Sequence, residues 1–327
     1  MRVLTQTQLN RFRDEGYLVV EDVFDPDVDF KVIKRDYSDI LDGVAAEMLA
    51  DGKIQSYDST QPFGDRIIDV VKQAADLPLQ AFDISLPQKG VSKDTPMYLG
   101  RGGFKLLRHE PLVDLVEQLI GPEVYSNPVQ HIRMKVPVGL VSAEGTTDVA
   151  GTPGIARSTM WHQDNGVVTE DADDTEMLTA WVPVTDATIE SGCLGVLPGS
   201  HRRKLIGHCP TPMQMVIPDQ LIASDQVIPV PMRAGSVLFL TRYTAHMSLP
   251  NVSNELRWSF DLRYQPTGQP TGRKAFPGFV VSSKARPESA LTDHGEWVSL
   301  WERTRDELAE SGMPSFHRWK SDAPWCA

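Results

Sequence analysis

Apolar residues recur at helical spacing through the first third of the chain. Within residues 29–50, and again within 111–121, they return every three or four positions, as on one face of an amphipathic helix. Thr5 is a suitable N-cap for an earlier helix, and the segment 17–24, YLVVEDVF, has the apolar and β-branched character of a short strand. The pattern predicts a mostly helical region over about residues 1–120.

The pattern changes after residue 121 to short apolar segments separated by Gly, Pro and Asn turns. These β-branched segments are EVYSNPVQHIRMKVPV, TMWHQD, EMLTAWVPVTDA, GCLGVLPGS, QVIPVPM, SVLFLTRY and RWSFDLRYQP. Many short strands at this spacing favour a β-sandwich, a jelly roll or a small barrel. We expect this β core to occupy about residues 121–265, and a C-terminal extension, 266–327, to follow it.

No segment of the chain has the composition of an interdomain linker, so we predict a single domain over residues 1–327. Four tryptophans indicate that the extension packs back onto the body: Trp297, Trp301, Trp319 and Trp325. The extension is longer than a small barrel needs, which leaves substrate selection or a homo-oligomer contact open as its role. The segment 139–158 is rich in Gly, Ser and Thr, and we expect a long loop that closes over bound substrate.

Composition and charge argue against two classes of partner. The 327 residues are 41% apolar and 23% charged, as in a globular protein, and the net charge of −12 argues against a nucleic-acid partner. No apolar run approaches the roughly 20 residues that span a bilayer, and the N-terminus lacks the apolar core of a signal peptide. The cysteines, Cys193, Cys209 and Cys326, are too scattered for a disulfide framework. We therefore expect a reduced, cytoplasmic protein without a membrane partner.

The segment TMWHQDNGVV, residues 159–168, places a histidine and an aspartate two positions apart in an apolar setting. On a strand, residues i and i+2 project to one face, so His162 and Asp164 would lie side by side near a turn at Asn165. His246, which follows the apolar strand SVLFL, is the candidate for a third ligand. Two imidazoles and one carboxylate make a facial triad that suits Fe(II), whereas zinc more often takes a closed tetrahedral shell.

Arg257 lies eleven residues after His246 on a segment with two distinct faces. The alternation puts large apolar side chains on one face and polar or charged side chains on the other. In a barrel whose apolar face packs outward against helices, the polar face lines the interior, where an unpaired charge is costly. Arg257 therefore either pairs with Asp261 or binds an anionic ligand, whose carboxylate it can grip bidentately.

Four motifs in this order resemble the phytanoyl-CoA dioxygenase family of Fe(II)- and 2-oxoglutarate-dependent oxygenases. They are WHQD, LTAWVPVTDATIESGCLGVLPGSHR, AGSVLFL and HMSLPNVSNELRWSFDLRY. The similarity covers roughly residues 120–265 well and the N-terminal helices more loosely. It implies a mainly β fold with flanking helices, namely a double-stranded β-helix, or jelly roll, of the cupin-like kind.

The resemblance also implies roles for particular residues. It gives His162, Asp164 and His246 as the iron ligands, and Arg257 as the anchor for the distal carboxylate of 2-oxoglutarate. Further cosubstrate contacts carry over onto four positions: Gln163, Trp181, Ser248 and His131. Strand alternation turns Gln163 away from the metal, and ordinary core packing is an equal alternative for Trp181 and His131. The PGSH turn gives His201 a mainly structural role.

The function implied is hydroxylation, or a related oxidation, of a small organic molecule with O2 as oxidant and succinate and CO2 as co-products. Three alternatives remain open at this point. One is a cupin-like metalloenzyme that does not use 2-oxoglutarate, and another is a non-catalytic binding protein that keeps the barrel. The third is a zinc hydrolase, although no general base stands at a telling spacing. The sequence does not specify the substrate.

Overall fold

Helices cover the first third of the chain, as the apolar spacing predicts. The computed structural model describes residues 2–74, 77–140, 155, 158–211, 214–222, 226–316 and 318–326. The helices of the first third are α1 (Gln6–Glu15), α2 (Lys31–Ala50), α3 (Phe63–Gln73), α4 (Arg101–Leu107) and α5 (Glu110–Ile120). Thr5 caps α1 in a capping box, because its hydroxyl accepts from the Gln8 amide while the Gln8 side chain accepts from the Thr5 amide.

The rest of the described chain is mainly antiparallel β-structure, followed by one long helix. The strands are β1 (Tyr17–Val20), β2 (Glu123–Ser126), β3 (His131–Lys135), β4 (Leu178–Pro183), β5 (Leu194–Val196), β6 (Cys209–Pro210), β7 (Met215–Val216), β8 (Ile228–Val230), β9 (Val237–Thr241), β10 (His246–Ser248), β11 (Arg257–Pro266) and β12 (Phe279–Ser283), and the helix is α6 (His294–Ser311). The larger sheet has the order β1-β9-β4-β11-β2-β12, with β3 also paired to β11, and the smaller sheet has the order β10-β5-β8. Together they form a double-stranded β-helix, which confirms the predicted fold class.

Strand β11 is the centre of the larger sheet, and its alternation sets the two faces of the barrel wall. It pairs with β3 and β2 along one edge and with β4 along the other. Its apolar face packs outward against the helices: the Tyr37 ring of α2 lies 4.9 Å from Trp258 and 6.1 Å from Phe260, between ring centroids. Its other face, which carries Arg257 and Arg263, turns into the barrel, and both arginines are buried. The predicted orientation of this strand is confirmed.

The segment that carries His162 and Asp164 is not the strand that the sequence predicts. His162 makes a single antiparallel bridge to His246, and residues Asp164–Val167 form one turn of 3-10 helix. The backbone N–H of Gln163 donates to the His208 ring instead of to a neighbouring strand, and the Gln163 side chain bonds to the backbone of Ile206 and Lys204. The two side chains still enter the barrel, but they do so from an irregular segment.

The C-terminal extension packs back onto the body, as its tryptophans indicate. Trp297 and Trp301 of α6 are buried in the same apolar cluster as the N-terminal helices. Beyond α6 the chain returns to the barrel, where Cys326 forms a disulfide with Cys209, 117 positions earlier in the sequence. The expectation that scattered cysteines stay reduced is therefore wrong for this pair, because the fold brings together residues that sequence spacing keeps apart. Cys193 is free and buried.

Four other expectations concern membrane spans, the loop at residues 139–158, the domain organisation and the location of the protein. Within the described residues, the helices are all too short or too polar to cross a bilayer. The predicted substrate-closing loop, residues 139–158, lies almost entirely outside the described residues. The single-domain organisation and the cytoplasmic location stay predictions.

Because the outward face of β11 holds the helices to the barrel, truncating Phe260 should destabilise the fold strongly. Phe260 is fully buried, and Phe260→Ala should lower the free energy of unfolding by about 3–5 kcal/mol. Val252, which is 62% exposed, offers the control: Val252→Ala should change it by less than about 0.5 kcal/mol. Denaturant unfolding followed by circular dichroism measures both. Equal, small losses would show that β11 does not anchor the helical layer.

Candidate metal and cosubstrate site

The two histidines predicted as metal ligands face each other across the isolated bridge. The His162 amide donates to the His246 carbonyl at 3.1 Å, and the His246 amide donates back to the His162 carbonyl at 3.0 Å. Directly opposed residues of an antiparallel pair project to the same side, so both rings lie together, with centroids 4.2 Å apart. Strand β10 thus positions His246, and the bridge places His162 beside it.

Each imidazole is oriented by a backbone carbonyl two residues earlier. The Nδ1 of His162 lies 2.9 Å from the Met160 carbonyl, and the Nδ1 of His246 lies 3.0 Å from the Thr244 carbonyl. A carbonyl only accepts, so each Nδ1 carries a proton and each Nε2 is the nitrogen that a metal can bind. Burial, together with the nearby His246, lowers the pKa of His162 well below its ordinary value, so this ring is neutral.

Asp164 is fully buried, and both of its carboxylate oxygens have partners. The guanidinium of Arg263 donates to Oδ1 through Nε and Nη2, and the Thr179 hydroxyl donates to Oδ2. Burial by itself raises the pKa of this carboxyl, but the charge of Arg263 and the hydrogen bond from Thr179 act against that effect, and the pKa lies below its ordinary value. Asp164 is therefore held as a carboxylate.

These three side chains fit a divalent metal. His162, Asp164 and His246 each offer a ligand atom within 4.8 Å of the other two, and all three are buried. Two imidazole nitrogens and one carboxylate oxygen on one side of an ion are the donor set of the non-haem Fe(II) facial triad. The neutral His162 ring and the carboxylate of Asp164 are already in the protonation states that this metal requires.

Arg257 lines the same cavity as the triad and has little to neutralise it. Its side chain is 2% exposed, its Nη1 donates to the Ser259 hydroxyl at 2.7 Å, and its guanidinium carbon lies 5.6 Å from the Trp181 ring centre. Its Nε is buried and has no hydrogen-bond partner among the residues that the structure describes. Asp261, the partner that the sequence offered, instead accepts from Arg133 Nε at 3.1 Å. Burial lowers the pKa of Arg257 to about 10, which leaves it charged at neutral pH.

Two of the other predicted cosubstrate contacts also line this cavity. Trp181 stands opposite Asp261 in the pairing of β4 with β11, and its ring covers Arg257. The Ser248 hydroxyl faces the cavity and accepts from the Lys135 ammonium group at 2.8 Å and from the Thr159 amide at 2.8 Å. Lys135 is a residue that sequence reasoning missed, although the pairing of β3 with β11 sets it directly opposite Arg257.

Gln163 and His131, the other two predicted cosubstrate contacts, are not among the residues that line this cavity. The cosubstrate contact of Gln163 stays a prediction. Its side-chain amide donates to the Lys204 and Tyr243 carbonyls and accepts from the Ile206 backbone amide, and so it faces away from the cavity. The reason is the alternation that turns Gln163 to the outside of the barrel. His131 lies on the inward face of β3, and its Nδ1 contacts Asp83 at 3.1 Å.

Arg263 and His208 are the other residues that sequence reasoning did not assign. Arg263 is on the inward face of β11, six positions after Arg257, where a second inward guanidinium implies a buried carboxylate partner. The even spacing of the two arginines along β11 is therefore a sequence signal by which Arg263 could have been found. His208 accepts from the Gln163 amide through Nε2 at 3.0 Å, and no spacing in the sequence indicates it.

Comparisons with known proteins agree with this geometry. A 1-deoxypentalenic acid 11-beta-hydroxylase from Streptomyces arenae is 29% identical over 137 residues, which cover 38% of this chain and 46% of that protein, so the match spans less than half of its length. A phytanoyl-CoA dioxygenase domain-containing protein 1 from Danio rerio is 27% identical over 280 residues, covering 79% of this chain and 88% of that protein.

The fold also recurs in a solved structure. The non-heme monooxygenase ThoJ, in its apo form, superposes with a TM-score of 0.56 at 16% identity, over 93% of this chain and 98% of ThoJ. The sequence profile of the phytanoyl-CoA dioxygenase (PhyH) family matches residues 12–259 and so includes the triad and Arg257. Because that match makes up most of the chain, the protein belongs to the phytanoyl-CoA dioxygenase family.

Proposed function

We propose that this protein is an Fe(II)- and 2-oxoglutarate-dependent dioxygenase that hydroxylates, or otherwise oxidises, a small organic molecule. The observation that carries the proposal is the buried Arg257, which faces the same cavity as His162, Asp164 and His246. A metal site by itself is compatible with many reactions. A buried guanidinium with an unpaired Nε beside that site needs an anionic ligand, and 2-oxoglutarate combines a metal-chelating keto acid with a distal carboxylate.

The residues of the chain divide the work of binding. His162, Asp164 and His246 would hold the iron, and Arg263 and Thr179 keep Asp164 ionised and oriented toward it. When bound, iron and 2-oxoglutarate supply the oxidising chemistry, in which O2 is consumed, 2-oxoglutarate yields succinate and CO2, and the substrate gains oxygen.

The remaining lining residues position the cosubstrate and keep water out. Arg257 would hold the distal carboxylate, and Ser248 offers a hydroxyl at the same end of the cavity, fixed by Lys135. The Trp181 ring covers one side of the guanidinium, so a carboxylate bound there is shielded from solvent and the ion pair is stronger than it would be in water. This division of roles disfavours the cupin-like, non-catalytic and zinc-hydrolase alternatives, none of which needs Arg257.

The cavity as a whole carries an excess of positive charge. Arg133, Arg257 and Arg263 line it, against the carboxylates of Asp261 and Asp164. The charges of Fe(II) and 2-oxoglutarate cancel, so the excess stays when both are bound. Arg133, whose side chain is 42% exposed, donates to Asp261 through Nε and is the accessible one of these three arginines. We infer that the substrate carries an anionic group, as the acid named for the Streptomyces relative does.

Iron binding should depend on the two histidines. Anaerobic protein should bind one Fe(II) per chain, and His162→Ala or His246→Ala should abolish tight binding because two ligands do not hold the ion. His294→Ala, in α6 and bonded to the Leu99 carbonyl, is the matched control and should bind iron normally. Equilibrium dialysis with metal analysis measures this. Full iron content in both triad variants would refute the ligand assignment.

Cosubstrate affinity should depend on Arg257 without any effect on iron. Arg257→Leu should raise the 2-oxoglutarate concentration required for succinate formation by roughly a hundredfold or more. Arg257→Lys should require a concentration between those of the wild type and Arg257→Leu, because lysine keeps the charge but lacks the planar guanidinium that binds a carboxylate through two nitrogens. Arg233→Leu, at a position whose side chain is 65% exposed, is the control for loss of an arginine. Unchanged 2-oxoglutarate dependence, or lost iron, in Arg257→Leu would make Arg257 a structural residue.

Substrate charge should matter through Arg133. In a screen for stimulated succinate formation, carboxylic acids should act at lower concentrations than their methyl esters, and Arg133→Gln should remove that preference while the 2-oxoglutarate requirement stays the same. The expected loss is roughly tenfold or more in apparent affinity for the acid. A preference for the neutral esters, or one that survives in Arg133→Gln, would show that Arg133 does not recognise the substrate.

A further inference from the structure

The C-terminal extension ends against the back of the metal-ligand segment. Cys326 forms a disulfide with Cys209, and Cys209 directly follows His208 in the sequence. The Trp325 indole donates to the His208 carbonyl at 3.3 Å. Gly207 makes this approach possible, because a Cβ at that position would lie 2.5 Å from the Trp325 ring. The end of the chain is therefore fixed both covalently and by packing to the residues around His208.

A second tryptophan of the extension clamps the His208 ring itself. Trp319 stacks on His208 with ring centroids 5.2 Å apart and planes at 23°, and its Nε1 donates to the Gly166 carbonyl at 2.6 Å. The ring of His208 in turn lies directly on Gly166, where a Cβ would be 2.2 Å from the imidazole. His208 is thus held between the extension and the turn that follows Asp164.

His208 passes this restraint to the residue between the two metal ligands. Its Nδ1 donates to the Ile206 carbonyl at 2.8 Å, so its Nε2 is the acceptor for the Gln163 amide at 3.0 Å. The Gln163 side chain is fixed by the same region, since it accepts from the Ile206 amide and donates to the Lys204 carbonyl. Both the backbone and the side chain of residue 163 are therefore anchored from outside the barrel.

This anchoring is needed because the ligand segment has little regular structure of its own. His162 joins the sheet through a single bridge, and Asp164 begins a turn of 3-10 helix. A strand ladder would fix the spacing of the two side chains, and here the outer contacts must do so. Groups that orient metal ligands from outside commonly change metal affinity by about 10–100-fold when they are removed.

We propose that His208 is a positioning residue for His162 and Asp164, and that the C-terminal segment, tied down by the Cys209–Cys326 disulfide, holds His208 in place. The inference rests on the metal site of the proposed function and goes beyond it, because it makes the extension part of that site. It also assigns a role to the extension within its own chain, where sequence reasoning left substrate selection or an oligomer contact open.

The test is the Fe(II) affinity of His208 variants, measured anaerobically by equilibrium dialysis. His208→Phe keeps a ring but removes the acceptor, and should weaken Fe(II) binding by roughly tenfold or more. His208→Gln can place an amide oxygen near the former Nε2, and should recover most of that loss. The visible absorption of the Fe(II)–2-oxoglutarate complex should shift in His208→Phe and return toward wild type in His208→Gln.

Two further changes test the extension. Trp319→Phe, which removes the bond to Gly166, and the double change Cys209→Ser with Cys326→Ser should each weaken Fe(II) binding several-fold. Trp301→Phe is the matched control, because it disturbs the buried α6 contact with Phe276 but not His208, and should leave Fe(II) affinity unchanged. Thermal unfolding of every variant separates lost folding from lost positioning.

A folded His208→Phe that binds Fe(II) like the wild type would overturn the proposal, as would equal losses in His208→Phe and His208→Gln. If His208→Phe does not fold, the Trp319 and cysteine variants decide, and wild-type affinity in both would overturn it. Failure of the proposed function is distinct from all of these results. It would appear as wild-type protein that binds iron but forms no succinate with any substrate.

Discussion

The structure depends on one strand, β11, which buries two guanidinium groups inside the β barrel. Strand alternation in β11 puts Trp258 and Phe260 against the helices, and the same alternation drives Arg257 and Arg263 inward. A charge in that position is strongly destabilising unless it is paired. Arg263 has Asp164 as its hydrogen-bonded partner. Among the described residues, Arg257 bonds to a serine hydroxyl, lies against an aromatic face and interacts with the Asp261 carboxylate only at longer range. Of these two guanidinium groups, one is paired with a carboxylate and the other can accept an anionic ligand.

That difference connects the fold to the chemistry. The carboxylate that neutralises Arg263 also belongs to the candidate metal triad, so the proposed metal site and the inner face of β11 are a single electrostatic unit. The second guanidinium then sets what can accompany the metal, because the ligand must bring negative charge to the far end of the cavity. The family relationship and the geometry support the same conclusion separately, since the burial of Arg257 beside the triad is a feature of this chain itself.

The parts that were predictable from sequence are those set by periodicity. The helices up to residue 120 and the two faces of β11 follow from the spacing of apolar and polar residues. The irregular path at His162 did not follow, because its cause is the contact of Gln163 with residues some 40 positions later. The Cys209–Cys326 disulfide and the role of His208 were hidden for the same reason. Tertiary contacts of this kind leave no local pattern.

The most direct test of the account is an anaerobic titration of Fe(II)-loaded protein with two keto acids. Both 2-oxoglutarate and pyruvate can chelate iron, but only 2-oxoglutarate has a distal carboxylate for Arg257. The account predicts that 2-oxoglutarate saturates the visible absorption band at one per chain, and that pyruvate binds roughly a hundredfold or more weakly. Equal affinity for the two acids, or no band with either, would contradict the claim that this barrel pairs an iron triad with a carboxylate anchor.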